Sequence, residues 1–511
     1  MNLISGVLSA ILSLLGLASP ATPPSGGPPP VPSVQERPLR AADALRVAGR
    51  ADARVLETAD GRRVLLRGAN VNALVDYRGA RQTVPVAPAD GLQARALGLN
   101  VVRLAVSWSK VAPAAGQIDD GYLRQVRTAA QTFADQGIYV LLDMHQDRYA
   151  GGLGRSGDES DGAPAWAALT GGASTAAGSG GHPYYGTAAS RQAAKAFFEN
   201  REVAGKPLQA HFADAVRAVT ATGQELGPAF AGIELWNEPV DPWGTDPLAA
   251  DGFSAPRLWP FYRRTIAALR DGGYDGPIWF EPHATRTWTD DDRAAARFSD
   301  DDQLVYGPHV YTDVYNGRIG EGTYARLRDS FDRAAVEAGK YGAALVPTEL
   351  PGASSGPWEA HREETLGHLD RLAIGGIVWV WKQDPSRDYG WGVLRSTGAL
   401  RGDSQIAQDY GRPRVQASEP RLLEQRFAAG AFEVRTSGAG DVELWEGAAF
   451  AAVPPILGRA WRLTVDGRVP APDRVRSWRA QAALGSDRSW AGGRQLRVRV
   501  DDGEHVIRLE P

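Results

Sequence analysis

The chain has 511 residues, with 60 acidic and 56 basic side chains, a formal net charge of −4 and no cysteine. A chain of this length buries a large core and is expected to divide into domains. The balanced charge provides no overall field to attract nucleic acid or an anionic membrane, and the lack of cysteine excludes disulfides, thiolate metal sites and cysteine nucleophiles.

The N-terminal segment has the pattern of a secretion signal followed by a linker. An apolar stretch from Leu3 to Leu17 precedes small residues, although no basic residue stands before it. The stretch is shorter than the roughly 20 residues that cross a bilayer. A proline-rich run then follows, which is typical of an extended linker. We expect a signal peptide over 1–19, a disordered linker over 20–50, and secretion; the alternative is a loose tail.

Strand and helix signals alternate along residues 51–415. The segment "VLETADGRRVLLRGANV" predicts a hairpin around Asp60 that leads into a first barrel-type strand. Helical stretches lie between most of the later strands; in 207–226, for example, apolar residues recur on one face. The later apolar strand candidates are "LNVVRLAVSW", "IYVLLDMHQD", "AGIELWNEP", "GPIWFEPH", "QLVYGPHVY", "AALVPTEL" and "GIVWVWKQD".

This alternation predicts an α/β fold. Strands that are apolar throughout and separated by helices indicate a parallel sheet covered on both faces, and eight such strands favour a closed (β/α)8 TIM barrel. An open doubly wound sheet is the alternative, but no strand is followed by a glycine-rich phosphate loop. Over 416–511 short alternating strands predict a small C-terminal antiparallel β-sandwich, which serves either as a structural unit or in carbohydrate binding.

Polar and aromatic residues stand at the ends of most predicted strands. In a (β/α)8 barrel the carboxyl ends of the strands form the face that carries the active site. One such residue is more often a cap or an ion-pair partner, but the whole set is hard to explain as structure alone. The residues are Arg103, His145 with Asp147, Asn237 with Glu238, Glu281 with His283, His309 with Tyr311, Glu349, and Trp379 or Trp381.

Two carboxylates on different strands suit glycoside hydrolysis. One carboxyl group protonates the leaving oxygen while the other attacks the sugar or activates water. Zinc and serine-nucleophile chemistry fit less well, because the sequence has no H-x-H, H-E-x-x-H or G-x-S-x-G pattern. We therefore expect no metal and no organic cofactor.

The segments "NVVRLAVSW", "LLDMHQD", "ELWNEP", "GPHVY" and "VPTEL" together resemble glycoside hydrolase family 5, the cellulase-like retaining enzymes of clan A. The details are most similar to the endoglycoceramidase-related branch, through residues 145–149, residues 162–167, "KAFFENR", "LQAHFADAVRAV" and "DYGRPRVQA".

The resemblance implies a role for each strand-end residue. Glu238 would be the acid/base and Glu349 the nucleophile, which Arg103 would keep ionised. Asn237 would bond the 2-hydroxyl of the sugar. Glu281, which also ends a strand, is the runner-up for a catalytic carboxylate, but the Glu-Pro step there favours a residue behind the reacting groups or in a sugar subsite. The remaining implied roles are sugar binding or carboxylate tuning by His145, Asp147 and His309, a hydrogen bond to the nucleophile from Tyr311, and an aromatic floor from Trp381, or from Trp379 one repeat earlier.

Two departures from the family pattern leave the oligosaccharide specificity open. Leu350, Pro351 and Gly352 follow the nucleophile instead of an aromatic residue and glycine, and the loop after the first strand offers only Arg78 and Arg81 instead of lysines. The glycine-rich insertion over 150–190 either lines an aglycone groove or anchors its own loop, through Trp166, Tyr184 and Tyr185.

The sequence thus predicts a monomeric, retaining β-glycosidase that acts on glycolipids by endoglycoceramidase-like cleavage of the bond between glycan and ceramide. The expected partners are a β-linked glycan or glycolipid and, through the glycolipid, a transient membrane surface, but no nucleic acid. Alternatives are an endo-β-glucanase or mannanase, and a non-catalytic carbohydrate-binding barrel.

Overall fold

The computed structural model describes residues 38–75, 83–153, 161–182, 184–244, 252–315, 319–352, 357–383, 391–395, 398, 405–447, 449–450, 461–479, 490–491 and 493–510. The predicted signal peptide, the linker up to residue 37, and Arg78 with Arg81 lie outside these residues. Within them, no helix has the length and apolar character needed to cross a membrane.

The strands, in chain order, are β1 (Leu45–Ala48), β2 (Val55–Thr58), β3 (Arg63–Val64), β4 (Arg67–Leu74), β5 (Val101–Ser107), β6 (Tyr139–His145), β7 (Glu202–Val203), β8 (Lys206–Pro207), β9 (Phe230–Glu234), β10 (Ile278–Phe280), β11 (Leu304–Tyr306), β12 (Ala344–Leu345), β13 (Leu350–Pro351), β14 (Gly376–Trp379), β15 (Arg414–Ser418), β16 (Arg421–Ala428), β17 (Ala431–Ser437), β18 (Gly440–Trp445), β19 (Ala449–Phe450), β20 (Arg462–Val465), β21 (Val475–Arg479), β22 (Trp490–Ala491), β23 (Arg494–Val500) and β24 (Glu504–Glu510).

The α-helices span Ala89–Ala96, Trp108–Val111, Asp120–Ala134, Ala188–Phe198, Leu208–Gln224, Trp259–Asp271, Arg286–Thr289, Glu321–Tyr341, Pro357–Leu372 and Gln405–Tyr410. Short 3-10 turns cover Ala41–Asp43, Ala165–Ala167, Gly227–Ala229 and Pro472–Arg474, and a π-helical turn covers Ser254–Leu258.

The parallel sheet closes on itself as a barrel. Its strand order is β12-β11-β10-β9-β6-β5-β4-β14-β13, so the two ends of the sheet are both pieces of the seventh barrel strand. Only residues 346–349 separate these pieces. Within them the Val346 N–H donates to Tyr306 O at 3.1 Å, and Pro347 O accepts from the Ile377 N–H at 3.0 Å. The seventh strand thus bonds the sixth strand on one side and the eighth on the other, which confirms the predicted (β/α)8 architecture.

Apolar periodicity and caps explain why the covering helices form where they do. Helix Leu208–Gln224 occupies the stretch predicted as helical, and its repeating apolar residues, such as Phe212 and Val216, are buried. Asp119 caps helix Asp120–Ala134 by accepting the backbone N–H of Tyr122, which satisfies one of the free donors at the helix start. The helices therefore bury one face against the barrel and leave the strand ends open.

The C-terminal strands form antiparallel sheets that also include the N-terminal hairpin. One sheet has the order β1-β2-β3-β15-β18-β23-β21 and the other β16-β17-β24-β20. The predicted hairpin is present and leads into β4, but β3 also pairs with β15, with Val64 opposite Ala417. The predicted division at residues 415 and 416 stays a prediction, and β15 runs across it.

Candidate active site

The carboxyl ends of the barrel strands bring Glu238 and Glu349 together. His309 Nδ1 lies 2.9 Å from Glu238 Oε1 and 3.5 Å from Glu349 Oε2. One carboxylate oxygen from each glutamate and one ring nitrogen of His309 all lie within 4.8 Å of one another. The two carboxyl groups predicted from different strands therefore face each other across one small gap.

Glu349 sits where the seventh strand is interrupted, and both of its oxygens have donors. Arg103 Nη1 donates to Oε1 at 2.9 Å, and the hydroxyl of Tyr311 donates to Oε2 at 2.8 Å. Burial raises the pKa of Glu349, while the positive charges of His309 and Arg103 act in the opposite direction. Hydrogen bonds to both oxygens favour the ionised form, which is the form that a nucleophile needs.

Glu238 differs from Glu349 in both exposure and backbone conformation. Its side chain is 15 % exposed, against 8 % for Glu349. Its φ of 42° places it in the left-handed region, which is uncommon for a residue other than glycine. Its N–H donates to Glu281 Oε2 at 3.1 Å, and its carbonyl accepts from Gln146 Nε2 at 3.1 Å. These two bonds hold the unusual backbone conformation.

Arg103 is the centre of the charge network beneath the two glutamates. It is completely buried, and its Nη2 lies 3.1 Å from Asp143 and 3.2 Å from Glu281, while Nε bonds Glu234. Burial alone would lower the pKa of Arg103, but the surrounding carboxylates, led by Asp143 and Glu234, raise it well above its usual value. The guanidinium therefore stays charged and compensates carboxylates from several strands.

The sequence analysis did not assign a role to three members of this network. Asn70 accepts from Arg103 Nη1 at 2.9 Å, and Asp143 and Glu234 pair with the same guanidinium. All three are 0 % exposed. Asp143 and Glu234 lie in strands that are buried along their whole length, and Asn70 lies in the buried first part of β4. A polar residue in such a setting is the signal that could have identified them.

Asn237 is fixed between the third and fourth strands of the barrel, which are β6 and β9. Its Oδ1 accepts from Arg103 Nη2 at 2.8 Å, and its Nδ2 donates to the carbonyl of Gln146 at 3.0 Å. A side-chain amide carries two N–H groups, so the second N–H can serve a ligand. The position agrees with the predicted contact to a sugar hydroxyl, and that role stays a prediction.

His145 and Asp147 lie at the end of the third barrel strand, β6, as predicted. His145 Nδ1 is 2.7 Å from Asp143 Oδ2, and although burial opposes the charge, Asp143 raises the pKa of His145 to about 10. Asp147 is half-buried, and its N–H donates to Oδ1 of Asp161 at 2.8 Å. Burial raises the pKa of Asp161 to about 7, which marks a further buried carboxyl in this part of the site.

The position of Trp381 corrects its predicted role as an aromatic floor. Trp381 is 1 % exposed and packs in the main hydrophobic core, so it offers no face to a ligand. Trp379 is half-buried and stacks on His145, with ring centroids 5.4 Å apart and planes at 12°. Strand β14 ends at Trp379, so the two-residue alternation does not extend to Trp381. Trp379, the alternative in the sequence analysis, is therefore the better placed of the two rings, and its role as the floor stays a prediction.

The described part of the 150–190 insertion anchors the loop and also contributes aromatic surface. Trp166 Nε1 donates to the Ala112 carbonyl at 2.8 Å, and the Tyr185 hydroxyl donates to the Val240 carbonyl at 2.9 Å. These two rings are therefore anchors. Tyr184 is half-buried, and its ring lies 6.4 Å from that of Trp288, which is 42 % exposed. Residues 154–160 and 183 lie outside the described residues.

Glu238, His309 and Glu349 also form a grouping that could hold a metal ion by distance alone. However, donors already bond both oxygens of Glu349, and the adjacent guanidinium of Arg103 opposes a second cation. Burial opposes charge on His309, but Glu281 and Glu349 raise its pKa well above the usual range, so its nitrogens hold protons instead of offering a lone pair. The residues fit proton chemistry on two carboxylates better than metal binding.

Comparison with known proteins identifies a family and a curated relative, each of which matches part of the chain. The model described as Cellulase (glycosyl hydrolase family 5) matches residues 59–385. Endoglycoceramidase I from Rhodococcus hoagii (strain 103S) is 36 % identical over 108 residues, which span 21 % of this chain and only 20 % of that protein.

Solved structures extend the likeness to most of the chain. An endogalactoceramidase structure superposes with a TM-score of 0.69 and 28 % identity, covering 91 % of this chain and 99 % of that one. Endo-glycoceramidase II from Rhodococcus sp., solved as its lactosyl-enzyme intermediate, gives a TM-score of 0.68 and 21 % identity, covering 89 % of this chain and 99 % of that one. The second likeness concerns the fold alone.

Proposed function

Because the chain belongs to glycosyl hydrolase family 5, whose model matches residues 59–385, we propose that it is a retaining β-glycosidase that releases the glycan from ceramide in glycolipids. The predicted family is confirmed, and the relatives are endoglycoceramidases, as the predicted branch requires. The chain is thus a glycoside hydrolase. Retention, the glycolipid substrate and the individual residue roles belong to the proposal.

The observation that carries the proposal is the separation of Glu238 and Glu349. Retaining enzymes keep their two carboxyl groups about 5–5.5 Å apart, whereas inverting enzymes leave about 6.5–9.5 Å for a water molecule. Carboxylate oxygens of these two residues lie within 4.8 Å of each other. This spacing lies on the retaining side of the division and supports direct attack by one carboxylate.

The two environments support different roles in the reaction. Ionised Glu349 attacks the anomeric carbon while Glu238 gives its proton to the leaving oxygen, so the glycosidic bond breaks and a glycosyl ester forms on Glu349. Glu238, now ionised, takes a proton from water, and the water oxygen attacks the same carbon and releases Glu349. The partly exposed Glu238 is the residue that solvent and the leaving group can reach.

Fixed dipoles and charges support the transition state. The second N–H of Asn237 would bond the sugar 2-hydroxyl, a contact that strengthens as positive charge develops on the ring. Arg103 orients Asn237 and Glu349 at the same time, through Nη2 and Nη1. The stacked pair of Trp379 and His145 would form a flat surface for the sugar held by the nucleophile.

The glycolipid assignment draws on the relatives and on the aromatic surface beside Glu238. The match to the endogalactoceramidase covers most of this chain at 28 % identity, and that protein is named for its action on a ceramide glycolipid. On this chain the ring of Tyr184 lies beside the exposed Trp288, and the nearby charge of Glu238 adds to the burial that raises the pKa of Tyr184, which supports a position of this pair on the acid/base side. An aglycone leaves on that side. A lipid aglycone would gain from such apolar contacts.

A product analysis tests the proposed substrate. The purified chain is incubated with glucosylceramide, galactosylceramide, lactosylceramide and soluble β-glucans, and the products are identified by mass spectrometry. We expect intact glycan and free ceramide from at least one glycolipid. Turnover of β-glucan or mannan alone would replace the proposal with a polysaccharide hydrolase, and saturable binding without turnover would indicate a non-catalytic barrel. Secretion and contact with a membrane surface through the lipid substrate are part of the same proposal.

A further inference from the structure

Glu281 is a third carboxylate of the site, and it lies behind the other two. It follows strand β10 directly, is 1 % exposed, and its carbonyl accepts from the hydroxyl of Tyr262 at 3.0 Å. Its position keeps it from direct contact with a sugar. Burial and the charge of Glu234 raise the pKa of Glu281, while the facing positive charges of His309 and Arg103 favour its carboxylate form.

Both oxygens of Glu281 are used on groups that control Glu238. Oε2 accepts the backbone N–H of Glu238 at 3.1 Å. Oε1 lies 3.2 Å from Nη2 of Arg103 and 3.2 Å from Nε2 of His309. The opposite ring nitrogen of His309 is the one that lies 2.9 Å from Glu238. Glu281 therefore contacts the acid/base Glu238 in two ways. One contact is direct, to the backbone N–H of Glu238, and the other is indirect, through the ring of His309.

The backbone contact matters because Glu238 has a φ of 42°. The left-handed region is strained for a residue with a side chain, so neighbouring bonds must maintain it. The bond from Glu281 acts on the N–H of this residue and therefore on the direction of its Cα–Cβ bond. A small change in that direction moves the carboxyl away from the leaving oxygen.

The contact through His309 fixes the ring that lies between the two catalytic glutamates. Glu281 Oε1 lies 3.2 Å from Nε2 of this ring, and the attraction between the carboxylate and the protonated imidazole favours this orientation of the ring. With Glu281 at Nε2, the Nδ1 side of His309 stays directed at the gap between Glu238 and Glu349. The positive charge of the ring can then stabilise whichever of the two glutamates is ionised at each step of the reaction.

We propose that Glu281 is a positioning residue for the acid/base Glu238, which it holds through the Glu238 backbone and through His309 so that the proton is delivered to the leaving oxygen. The inference rests on the proposed function. It assigns to Glu281 no contact with substrate. Its effect should therefore appear only in reactions that need the proton.

The test compares two aryl β-glycosides that carry the same sugar. A phenyl aglycone is a poor leaving group that needs protonation, whereas a dinitrophenyl aglycone leaves without it. The quantity measured is kcat/KM, because it reports glycosylation. In Glu281→Gln the amide has one acceptor oxygen where the carboxylate has two, so one of the two contacts to Glu238 is lost. We expect kcat/KM to fall about 100-fold for the phenyl glycoside and less than about threefold for the dinitrophenyl glycoside.

Glu234→Gln is the matched control. Glu234 is also completely buried, and its side chain bonds Arg103 and Thr348, whereas that of Glu281 contacts the backbone of the acid/base. We expect the control to lose kcat/KM equally on both glycosides. Glu281→Asp, which keeps two acceptor oxygens, should recover part of the phenyl activity, and it provides the same comparison if the glutamine variant does not fold.

The double variant Glu238→Gln with Glu281→Gln completes the test. With the acid already removed, adding Glu281→Gln should cause no further selective loss on the phenyl glycoside. Equal losses on both glycosides in Glu281→Gln, or a further selective loss in the double variant, would overturn the inference while the wild type remains a glycosidase. A wild type inactive on both glycosides would overturn the proposed function and the inference with it.

Discussion

The hydroxyl of Tyr311 donates to Oε2 of Glu349 at 2.8 Å. Arg103 bonds the other oxygen, so the two donors fix the plane of the carboxylate as well as its charge. Neighbouring side chains also contact the Tyr311 ring: Trp391 stacks on it at 5.9 Å, and Tyr315, which is 61 % exposed, lies 5.3 Å away. The donor to the nucleophile is thus itself held in place.

Tyr311→Phe should reduce kcat by about 10- to 100-fold with a smaller change in KM. A hydrogen bond to an ionised carboxyl favours that form, so its loss raises the pKa of Glu349. Activity requires the ionised nucleophile, and the acidic limb of the kcat/KM profile should therefore move to higher pH. Tyr315→Phe is the control and should leave the acidic limb unchanged. An unchanged limb in Tyr311→Phe would contradict the assigned contact.

Arg103→Met should destabilise the fold as well as abolish activity. Removing the cation from a buried network leaves Asp143, Glu234 and Glu349 uncompensated, which costs about 3–5 kcal/mol in comparable buried pairs. Chemical denaturation measures the difference in the free energy of unfolding. The control is Arg46→Ala, because Arg46 is half-exposed, 3.6 Å from Glu57, and such surface pairs contribute at most about 1 kcal/mol. Equal stabilities of the two variants would contradict the central position of Arg103.

Trp379→Ala and Trp381→Ala should separate binding from folding. Loss of Trp381 leaves a cavity in the core and should cost about 3–5 kcal/mol of stability. Trp379 is half-buried and stacks on His145, so its removal should mainly raise KM and lower kcat/KM on glycosides. Thermal unfolding and steady-state kinetics are measured for both variants. A stable Trp381 variant with a selective binding defect would restore the original floor assignment.

His145 should make the free energy of unfolding depend on pH above neutrality. Asp143 raises the folded pKa of His145 to about 10, above its usual value near 6.5. The folded state therefore binds the proton more tightly, so the stabilisation is complete below about pH 6.5 and is lost as the pH rises towards about 10. The free energy of unfolding is measured across this range for the wild type and for His145→Gln. The stability difference between them should shrink with rising pH; a constant difference would contradict the charged pair.

The sequence predicted much of the barrel because its strands are uniformly apolar and regularly interrupted by helices. It also predicted that five residues meet at the carboxyl ends of those strands, namely Glu238, Glu349, Arg103, His309 and Tyr311. It could not predict how many partners Arg103 has, because those contacts arise only when the sheet closes. The pairing of β3 with β15 joins residues more than 300 positions apart and leaves no local signal.

Two further features depend on where strands stop. Trp379 and Trp381 are equivalent in a two-residue alternation, and only the end of β14 at Trp379 distinguishes them. The Glu281 contact to the Glu238 backbone depends on the left-handed φ of Glu238, which composition and periodicity do not encode. The Glu-Pro step at both positions was visible in the sequence, but the bond between them was not.

The central claim is the division of labour between Glu238 and Glu349, and azide rescue tests it most directly. In Glu238→Ala a dinitrophenyl β-glycoside should still glycosylate Glu349, because its leaving group needs no proton, and the covalent glycosyl-enzyme should accumulate without a base. Azide, which needs no base, should then release the β-glycosyl azide, while Glu349→Ala should not form the covalent enzyme. The anomer is read by NMR and the intermediate by mass spectrometry. An α-azide from the Glu349 variant, with no rescue of the Glu238 variant, would reverse the two roles and contradict the account.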